Sequence, residues 1–358
     1  MEKKIIKNLS TDYRSTVYQA IKKLNISGLA FLALKKNNKL YGILTDADLR
    51  RKILLGLKKN TNVYKICNRK PQYVFFDDKN LSKKLKFIFF KNKTIDIIPI
   101  LNRNKTILDY ATKDNFGEQK IFNDFSSIII AGGKGKRLLP ITKTLPKPLI
   151  KFEGKPYLIN LIKKLLFFKS KNIHISIFYK SKKFYNIIKK NFTEDVNSKK
   201  IRFVKETKPL GTAGSIALVK KVTSKNILVL NADIIFNLNL NSLINFHNQS
   251  KNFLTIVIKD YQVHVPFGVV KFEKNRFNKI IEKPNYNLFT NTGIYLFNKE
   301  IFNFLKTIKK IDMPQLINKA VNAKKKIGVF PINEEFIDFG SHKNLLEAHK
   351  SFDKYFYT

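Results

Sequence analysis

The sequence predicts an α/β protein with a mostly parallel mixed sheet, preceded by a smaller α+β domain. Two observations predict the larger domain: apolar strand-like runs alternate with helical patterns from Phe125 onward, and a glycine-rich basic loop follows the first run. An internal repeat within the first 118 residues predicts the smaller domain. At 358 residues the chain is long enough for two domains, each with its own core. We place them at 1–118 and 119–358.

The first 118 residues contain two copies of a pattern of helix, strand, turn and strand. The second copy is the weaker one. Two such units would pair to complete one core. The predicted elements are, in order, helix 15–24, strands 28–34 and 40–44, helix 46–55, helix 81–90, and strands 95–101 and 106–110.

The phrase Tyr41-Gly-Ile-Leu-Thr-Asp-Ala-Asp-Leu-Arg-Arg51 resembles the signature of the CBS (cystathionine-beta-synthase) family. The resemblance implies that residues 1–118 form a CBS pair, a regulatory module that often binds an adenine nucleotide and often associates, so we expect a homo-oligomer. It also places Thr45 and Asp48 on the ribose or phosphate of that ligand. Both residues lie at the start of a predicted helix, where capping of free amides is the alternative role.

From Phe125 onward, the alternation of strand and helix predicts a Rossmann-like sheet with helices on both faces. The predicted strands are 127–131, 174–179, 201–205 and 226–230. The helices predicted between and after them are 157–168, 184–191, 211–221 and 240–249. Four later strands without long helices between them predict an antiparallel extension that forms one wall of a substrate pocket: 253–259, 268–272, 277–282 and 293–297.

The basic loop lies where an open parallel sheet binds ligands, beyond the carboxyl end of a strand. Gly132–Leu149 reads G-G-x-G-x-R-L-x-P-x-T-x-x-x-P-K-P-L, which is neither a dinucleotide fingerprint nor a P-loop. This string resembles the signature of the sugar-nucleotidyltransferase family, whose fold is GT-A-like, over residues 126–350. Four further phrases follow in the family's order: Pro209-Leu-Gly-Thr-Ala-Gly214, Leu230-Asn-Ala-Asp233, Ile281-Glu-Lys-Pro284 with Asn291-Thr-Gly293, and Ile337-Asp-Phe-Gly340.

The resemblance implies transfer of a nucleoside monophosphate from an NTP to a sugar 1-phosphate, with release of pyrophosphate. Two polyanions must meet, so charge repulsion and positioning form most of the barrier, and the site needs cations. Arg137 would bind the leaving phosphates, and Lys147 would neutralise charge at the α-phosphate. The triphosphate would lie on the backbone of Ala131, Gly132, Gly133 and Gly135.

Two aspartates at predicted strand ends, Asp233 and Asp338, are expected to hold Mg²⁺, which prefers hard oxygen ligands. For Asp338, helix capping is the alternative. At the sugar end, the family's pattern places Glu282 on the sugar hydroxyls and Lys283 on the sugar phosphate. The same pocket would be lined by Gly268, Asn291 and Gly293.

The base would be read by Glu206 and by Gly211, Thr212 and Gly214. The phrase that contains the last three is typical of mannose-1-phosphate guanylyltransferases, and a carboxylate can accept from N1–H and the exocyclic amine of guanine. GTP is therefore favoured, with UTP or dTTP as alternatives.

A CBS pair joined to a short transferase resembles the guanylyltransferases that make GDP-glucosamine for legionaminic-acid-type surface sugars. That resemblance suggests GDP-glucosamine as the product. A catalytically silent nucleotide sensor is the second hypothesis for the transferase half.

Composition argues against other partners. The formal charge of +43 comes almost entirely from lysines spread along the chain, whereas nucleic-acid surfaces are usually localised and use arginine forks. Cys67 is the only cysteine, no apolar run approaches about 18 residues, and the first ten residues lack the apolar core of a signal peptide. We expect a soluble cytoplasmic protein with no nucleic-acid or membrane partner.

Overall fold

The computed structural model describes residues 9–27, 29–92, 95–112, 124–219 and 222–356. The domain boundary predicted at 118/119 lies outside these residues, as do the first residue of the strand predicted at 28–34 and the end of the helix predicted at 211–221. Within the described residues, no helix is both long and apolar enough to cross a bilayer.

The N-terminal half contains two three-stranded sheets of the same topology, in which the first two strands are parallel and the last two antiparallel. Its elements are β1 Ser10–Asp12, α1 Val17–Ser27, β2 Phe31–Lys36, β3 Lys39–Thr45, α2 Asp46–Leu54, β4 Val74–Phe75, α3 Leu81–Lys91, β5 Ile97–Leu101 and β6 Ile107–Thr112. The predicted internal repeat is therefore confirmed.

The two units of the repeat share a small buried cluster. Phe31 and Ala33 of the first unit pack with Ile97 and Tyr110 of the second, and the rings of Phe31 and Tyr110 are 5.8 Å apart. Neither unit covers this face by itself, so each one completes the other's core.

The C-terminal half is built on a seven-stranded mixed sheet of order β11-β10-β7-β12-β17-β14-β18. Its strands are β7 Phe125–Ile130, β8 Lys151–Phe152, β9 Lys155–Pro156, β10 Ile173–Ile177, β11 Ile201–Lys205, β12 Asn226–Asn231, β13 Ile234–Phe236, β14 Leu254–His264, β15 Val269–Glu273, β16 Arg276–Ile281, β17 Asn285–Asn298, β18 Ile327–Ile332 and β19 Phe336–Asp338. Its helices are α4 Ile141–Thr144, α5 Tyr157–Phe167, α6 Ser181–Asn191, α7 Thr193–Asn197, α8 Gly211–Gly214, α9 Leu240–Gln249, α10 Met313–Asn322 and α11 His342–Phe356.

Helices cover both faces of this sheet, as predicted for an α/β protein. Successive residues of β7 point to opposite faces, so Ile129 packs in the core beneath α5 and Ile128 packs in the core beneath α10. The first four strands of the Rossmann-like part are parallel, and β17 then runs antiparallel to both β12 and β14. The expected antiparallel extension is present as the outer ends of β14 and β17 and the hairpin of β15 and β16.

The helix predicted over 211–221 is wrong in length. The α-helix covers only Gly211–Gly214, and a 3₁₀ helix follows over Ser215–Leu218. The amides of Ala213 and Gly214 both donate to the carbonyl of Ile311, at 3.1 Å, so this segment is bound to a distant loop. Amides in the first turn of a helix have no acceptor within the helix, so these bonds anchor its start, and the α-helix itself ends where the 3₁₀ helix begins.

Many tight turns of this chain use lysine in the left-handed backbone region. Among the described residues, thirteen non-glycine residues have positive φ, and eight of these are lysines. Lys180, at the start of α6, has φ of 54°, and Lys283, after β16, has φ of 42°. Glycine is the residue that normally occupies this region without steric cost.

Two buried histidines predict acid sensitivity. Burial, with smaller contributions from Arg202 and Lys225 respectively, lowers the pKa of His174 and of His247 to about 4. As the pH falls, the unfolded chain binds these protons before the folded chain does. The free energy of unfolding should therefore fall by about 2 kcal/mol for each histidine between about pH 7 and pH 5. Urea unfolding at both pH values measures this free energy, and His247→Asn should lose less of it between pH 7 and pH 5 than the parent chain does. An equal loss would contradict this assignment.

Candidate active site

A cavity of about 480 Å³ lies at the carboxyl ends of β7 and β12. Several of the predicted site residues line it together: Ala131, Gly132, Gly133, Gly135, Arg137, Lys147, Glu206, Gly211, Thr212, Asp233 and Asp338. These residues come from the basic loop, the end of β11, the start of α8, the turn after β12 and the end of β19. The fold thus brings five separate segments to one concave site.

Gly135 turns the basic loop back on itself. Its φ is 65°, and a Cβ here would lie 2.8 Å from Cγ2 of Thr142 and 3.4 Å from Cβ of Lys147. The Thr142 hydroxyl donates to the Gly135 carbonyl at 2.8 Å. The positive φ and the close approach of Thr142 both require glycine at position 135, and the turn places Lys147 beside it.

The ammonium of Lys147 lies between two carboxylates. It donates to Asp233 Oδ2 and is 3.5 Å from Asp338 Oδ1, while the lysine as a whole is only 6% exposed. Pro146 and Pro148 flank the lysine and restrict its backbone. The cation is buried, whereas the side chains of Asp233 and Asp338 are 27% and 44% exposed, so the carboxylates stay open to the cavity.

The guanidinium of Arg137, from the basic loop, also lies near Lys147 and Asp338. A Cβ at Gly340 would lie 2.7 Å from Asp338 Oδ1, 2.8 Å from Lys147 Nζ and 3.0 Å from Arg137 Nη2. The Gly340 amide also donates to Asp338 Oδ1 at 2.7 Å. The two predicted cations and Asp338 therefore surround a glycine with no room for a side chain.

Both aspartates are carried by one short antiparallel ribbon, β13 with β19. Ile234, next to Asp233, pairs with Asp338, and the Phe339 amide donates to the Asp233 carbonyl at 3.2 Å. The Tyr157 hydroxyl supports this turn by donating to the Ile234 carbonyl. Burial, with a smaller effect of the Asp233 charge, holds the pKa of Tyr157 well above its ordinary value, so the hydroxyl remains a donor.

The carboxylate pair is compatible with Mg²⁺. One cation, the Lys147 ammonium, already contacts both aspartates, which shows that the two carboxylates converge. Over the described ranges, no cluster of three or more His, Cys, Asp or Glu side chains could hold a metal. Two carboxylates suffice for Mg²⁺, because this ion keeps several waters and takes phosphate oxygens as further ligands.

Glu206 is buried at the end of β11, and both of its carboxylate oxygens are engaged. Ser176 Oγ donates to Oε1 at 2.5 Å, and the Leu210 amide donates to Oε2 at 3.1 Å. A Cβ at Gly132 would lie 2.5 Å from Oε1. Glu206 therefore ties the loop before α8 to the sheet, in addition to lining the cavity.

The segment around α8 is hydrogen-bonded to the residues at the start of α10. The Thr212 amide donates to Asp312 Oδ1 at 2.9 Å, and the Thr212 hydroxyl accepts from the Met313 amide at 2.7 Å. Gly211 has φ of 78°, and a Cβ there would lie 2.6 Å from the Ile311 carbonyl oxygen. Gly214 is buried against the Lys309 carbonyl and does not line the cavity.

The residues predicted for the sugar end lie outside the cavity lining: Gly268, Glu282, Lys283, Asn291 and Gly293. Gly268 lies beside Glu282, since a Cβ at 268 would be 3.0 Å from Glu282 Oε2. Asn291 and Gly293 lie in β17 where its register with β14 shifts, and Lys283 lies in the turn after β16. The Asn291 side chain accepts from the Gly293 amide at 3.0 Å, and Gly293 packs against the Asn231 amide.

Asn231 lines the cavity and was not singled out from the sequence. It lies two residues before Asp233 in a quoted phrase, and it separates the cavity from Gly293. Lys136 and Gly340 were likewise present in quoted phrases and also line the cavity. The sequence motifs include these three residues, but only the three-dimensional structure shows that they line the cavity.

In the N-terminal half, Thr45 and Asp48 form a helix cap. The Thr45 side chain accepts from the Asp48 amide at 3.1 Å and donates to Asp48 Oδ2 at 2.7 Å. Asp48 also pairs with Arg51. The capping role is thus present, and a ligand at these residues stays a proposal.

The nucleotidyl transferase family matches residues 126–354, and the chain belongs to this family. It is similar to mannose-1-phosphate guanylyltransferase catalytic subunit beta of Drosophila melanogaster, with 28% identity over 240 residues, 64% of this chain and 63% of the relative. A second relative is mannose-1-phosphate guanyltransferase of Yarrowia lipolytica, with 30% identity over 232 residues and 62% of each chain covered. The chain spans about three fifths of the length of these curated relatives.

Among solved structures, the chain is similar to HddC from Yersinia pseudotuberculosis. The TM-score is 0.51 at 25% identity, and the match covers 63% of this chain and 99% of that chain. The match therefore includes nearly all of the solved chain.

Two neighbouring glycines give a matched test of the loop. Gly132→Ala should lower the melting temperature, because the new methyl group would displace the buried Glu206 carboxylate, an overpacking cost of about 1–3 kcal/mol. Gly133→Ala should leave it unchanged, because nothing lies within 4 Å of a Cβ at that position. Thermal unfolding followed by circular dichroism measures both. Equal melting temperatures for the two variants would show that Glu206 does not restrict position 132.

Proposed function

We propose that the chain transfers a nucleoside monophosphate, favoured to be GMP from GTP, to a sugar 1-phosphate and releases pyrophosphate. The observation that carries the proposal is the meeting of Arg137 and Lys147 with Asp233 and Asp338 at one cavity of about 480 Å³. Such a constellation serves reactions between two anions, in which positioning and charge neutralisation dominate the barrier.

In this reaction an oxygen of the sugar phosphate attacks the α-phosphorus of the NTP, and the bond to the bridging oxygen of the β-phosphate breaks. A phosphate is already ionised at neutral pH, so no general base is required. Arg137 would bind the departing pyrophosphate, and Lys147 would neutralise the α-phosphate. Asp233 and Asp338 would hold Mg²⁺, which supplies further positive charge to the phosphate oxygens.

The preference for GTP rests on two observations. The buried carboxylate of Glu206 lines the cavity next to Leu210, where a base could donate to it. The relatives from Drosophila melanogaster and Yarrowia lipolytica are guanylyltransferases by name. UTP and dTTP are the alternatives, and glucosamine 1-phosphate, which would give GDP-glucosamine, is the first sugar substrate to test.

The proposal divides the chain into a CBS pair at 1–118 and a catalytic domain at 119–358. The repeated sheets of the N-terminal half and their shared core support this division. An adenine nucleotide is the proposed ligand of Thr45 and Asp48. We also propose that the chain forms a homo-oligomer, which sedimentation would measure.

A substrate matrix tests the function. Pyrophosphate release is measured with GTP, UTP, dTTP and ATP against hexose and hexosamine 1-phosphates in the presence of Mg²⁺. We expect release with GTP and one class of sugar phosphate. Binding of GTP without release for any sugar would favour the silent nucleotide sensor.

Variants of the carboxylate pair test the mechanism. Asp233→Asn and Asp338→Asn should each lower turnover by a factor of about 10²–10³, since removing one preorganised electrostatic group commonly costs this much. Asp109→Asn, at an exposed position on β6 of the N-terminal half, is the matched control and should retain turnover. Near-normal turnover of Asp233→Asn would remove Asp233 from the mechanism.

A further inference from the structure

A buried arginine of the N-terminal half binds the C-terminal half. Arg50 of α2 is 2% exposed, and its Nε and Nη2 donate to the Asp46 carboxylate at 3.2 and 2.8 Å. Nη1 and Nη2 donate to the two carboxylate oxygens of Glu334 at 2.7 and 2.5 Å, and Nη1 also donates to the Pro331 carbonyl at 3.0 Å. The five bonds use all five N–H groups of the guanidinium.

Glu334 lies on the short connection between β18 and β19. It is 3% exposed, it accepts from the Asn333 amide at 2.9 Å, and its carbonyl accepts from Lys259 Nζ at 2.8 Å. Burial alone would raise the pKa of Glu334, but the Arg50 charge and hydrogen bonds hold it below its usual value. The side chain is therefore an ionised carboxylate whose partner comes from the other half of the chain.

This connection leads directly into the ribbon that carries the site. In the ribbon, Ile234 pairs with Asp338 at one end and Phe236 pairs with Phe336 at the other. The first end carries the proposed metal ligands, because Asp233 precedes β13 and Asp338 ends β19. With three pairs of residues, the ribbon is only about 7 Å long.

The N-terminal half contacts the residues that flank both strands of the ribbon, at the end away from the site. Arg50 holds Glu334, two residues before β19 begins. Asn25 Nδ2 donates to the carbonyl of Asn237, directly after β13, at 2.9 Å. The Asn237 amide in turn donates to the Glu335 carbonyl at 3.0 Å, which joins the two contact points.

We propose that Arg50 is a positioning residue for the transfer reaction. By holding Glu334, it fixes the start of β19 and thereby the placement of Asp338 relative to Asp233. The role of the two carboxylates rests on the proposed function, whereas the link from Arg50 to the ribbon rests on geometry alone. The N-terminal half thus contributes to the geometry of a site that it does not line.

Adjacent arginines supply a matched pair of variants. Arg50→Lys keeps the charge but loses the two-pronged hydrogen bonding, while Arg51→Lys makes the same change where the side chain is 75% exposed. Glu334→Gln provides a second variant that keeps an acceptor and removes the charge. Unchanged far-ultraviolet circular dichroism checks that each variant is folded.

Three measurements are made on the full chain. Pyrophosphate release at varied Mg²⁺ gives the half-saturating concentration separately from kcat, and Mn²⁺ titration with GTP, followed by EPR, gives metal affinity without turnover. Amide exchange of residues 234–237 and 336–340 reports the ribbon. For Arg50→Lys and Glu334→Gln we expect metal affinity to fall about tenfold, since partners that orient metal ligands commonly have such effects. We also expect faster exchange in both segments, and Arg51→Lys should match the parent chain in all three.

Several results would overturn the proposal. Parent-like metal affinity in both variants would do so, even with faster exchange, because Arg50 would then only join the two halves. A fall in kcat by the same factor at every Mg²⁺ concentration, with amide exchange like that of the parent chain, would also show that Arg50 only joins the two halves. If the parent chain transfers no nucleotide in the substrate matrix, the proposed function fails, while the Mn²⁺ and exchange measurements still decide whether Arg50 positions the carboxylates.

Discussion

The shared contact of one ammonium with two carboxylates is the constraint on which the site depends. Lys147, Asp233 and Asp338 come from three segments far apart in sequence, and each needs its own support. The lysine is flanked by prolines, the first aspartate follows a core strand, and the second ends a ribbon. Because each acid lies beside a cation, the site can hold like charges close together without the repulsion that would otherwise separate them.

The seven-stranded sheet and the ribbon have different tasks. The sheet, with helices on both faces, brings the carboxyl ends of β7, β11 and β12 to one edge. The ribbon is too short to have a core of its own, so its position depends on what surrounds it. Tyr157 supports it from the C-terminal half, and Asn25 and Arg50 of the N-terminal half contact the residues that flank it. The two halves are therefore joined beside the ribbon that positions Asp233 and Asp338.

Sequence alone predicted the parts of the protein that depend on local patterns. The parallel sheet, the N-terminal repeat and the strand-end positions of Asp233 and Asp338 follow from periodicity and turn residues, which act over short distances. The helix predicted over 211–221 is shorter than its pattern, and its first-turn amides bind Ile311, about a hundred residues away in the chain. The contact between Arg50 and Glu334 spans 284 residues, and no local pattern identifies such a pair. Gly214, Asn291 and Gly293 occur in recognisable phrases, yet their contacts show packing and backbone roles behind the cavity.

The lysines with positive φ affect how this protein tolerates substitutions in its turns. A residue with a Cβ pays roughly 1–2 kcal/mol to adopt this backbone region, and glycine avoids most of that cost at the expense of a more disordered unfolded chain. Eight lysines in the described part of the chain hold such turns, so local strain is distributed over the periphery and offset by the cores. Lys283 differs from most of them because it lies in the Glu-Lys-Pro phrase. Replacing it with glycine would relax the turn and remove its charge together, so backbone and side-chain effects there can be separated only by comparison with an asparagine, which also tolerates this conformation.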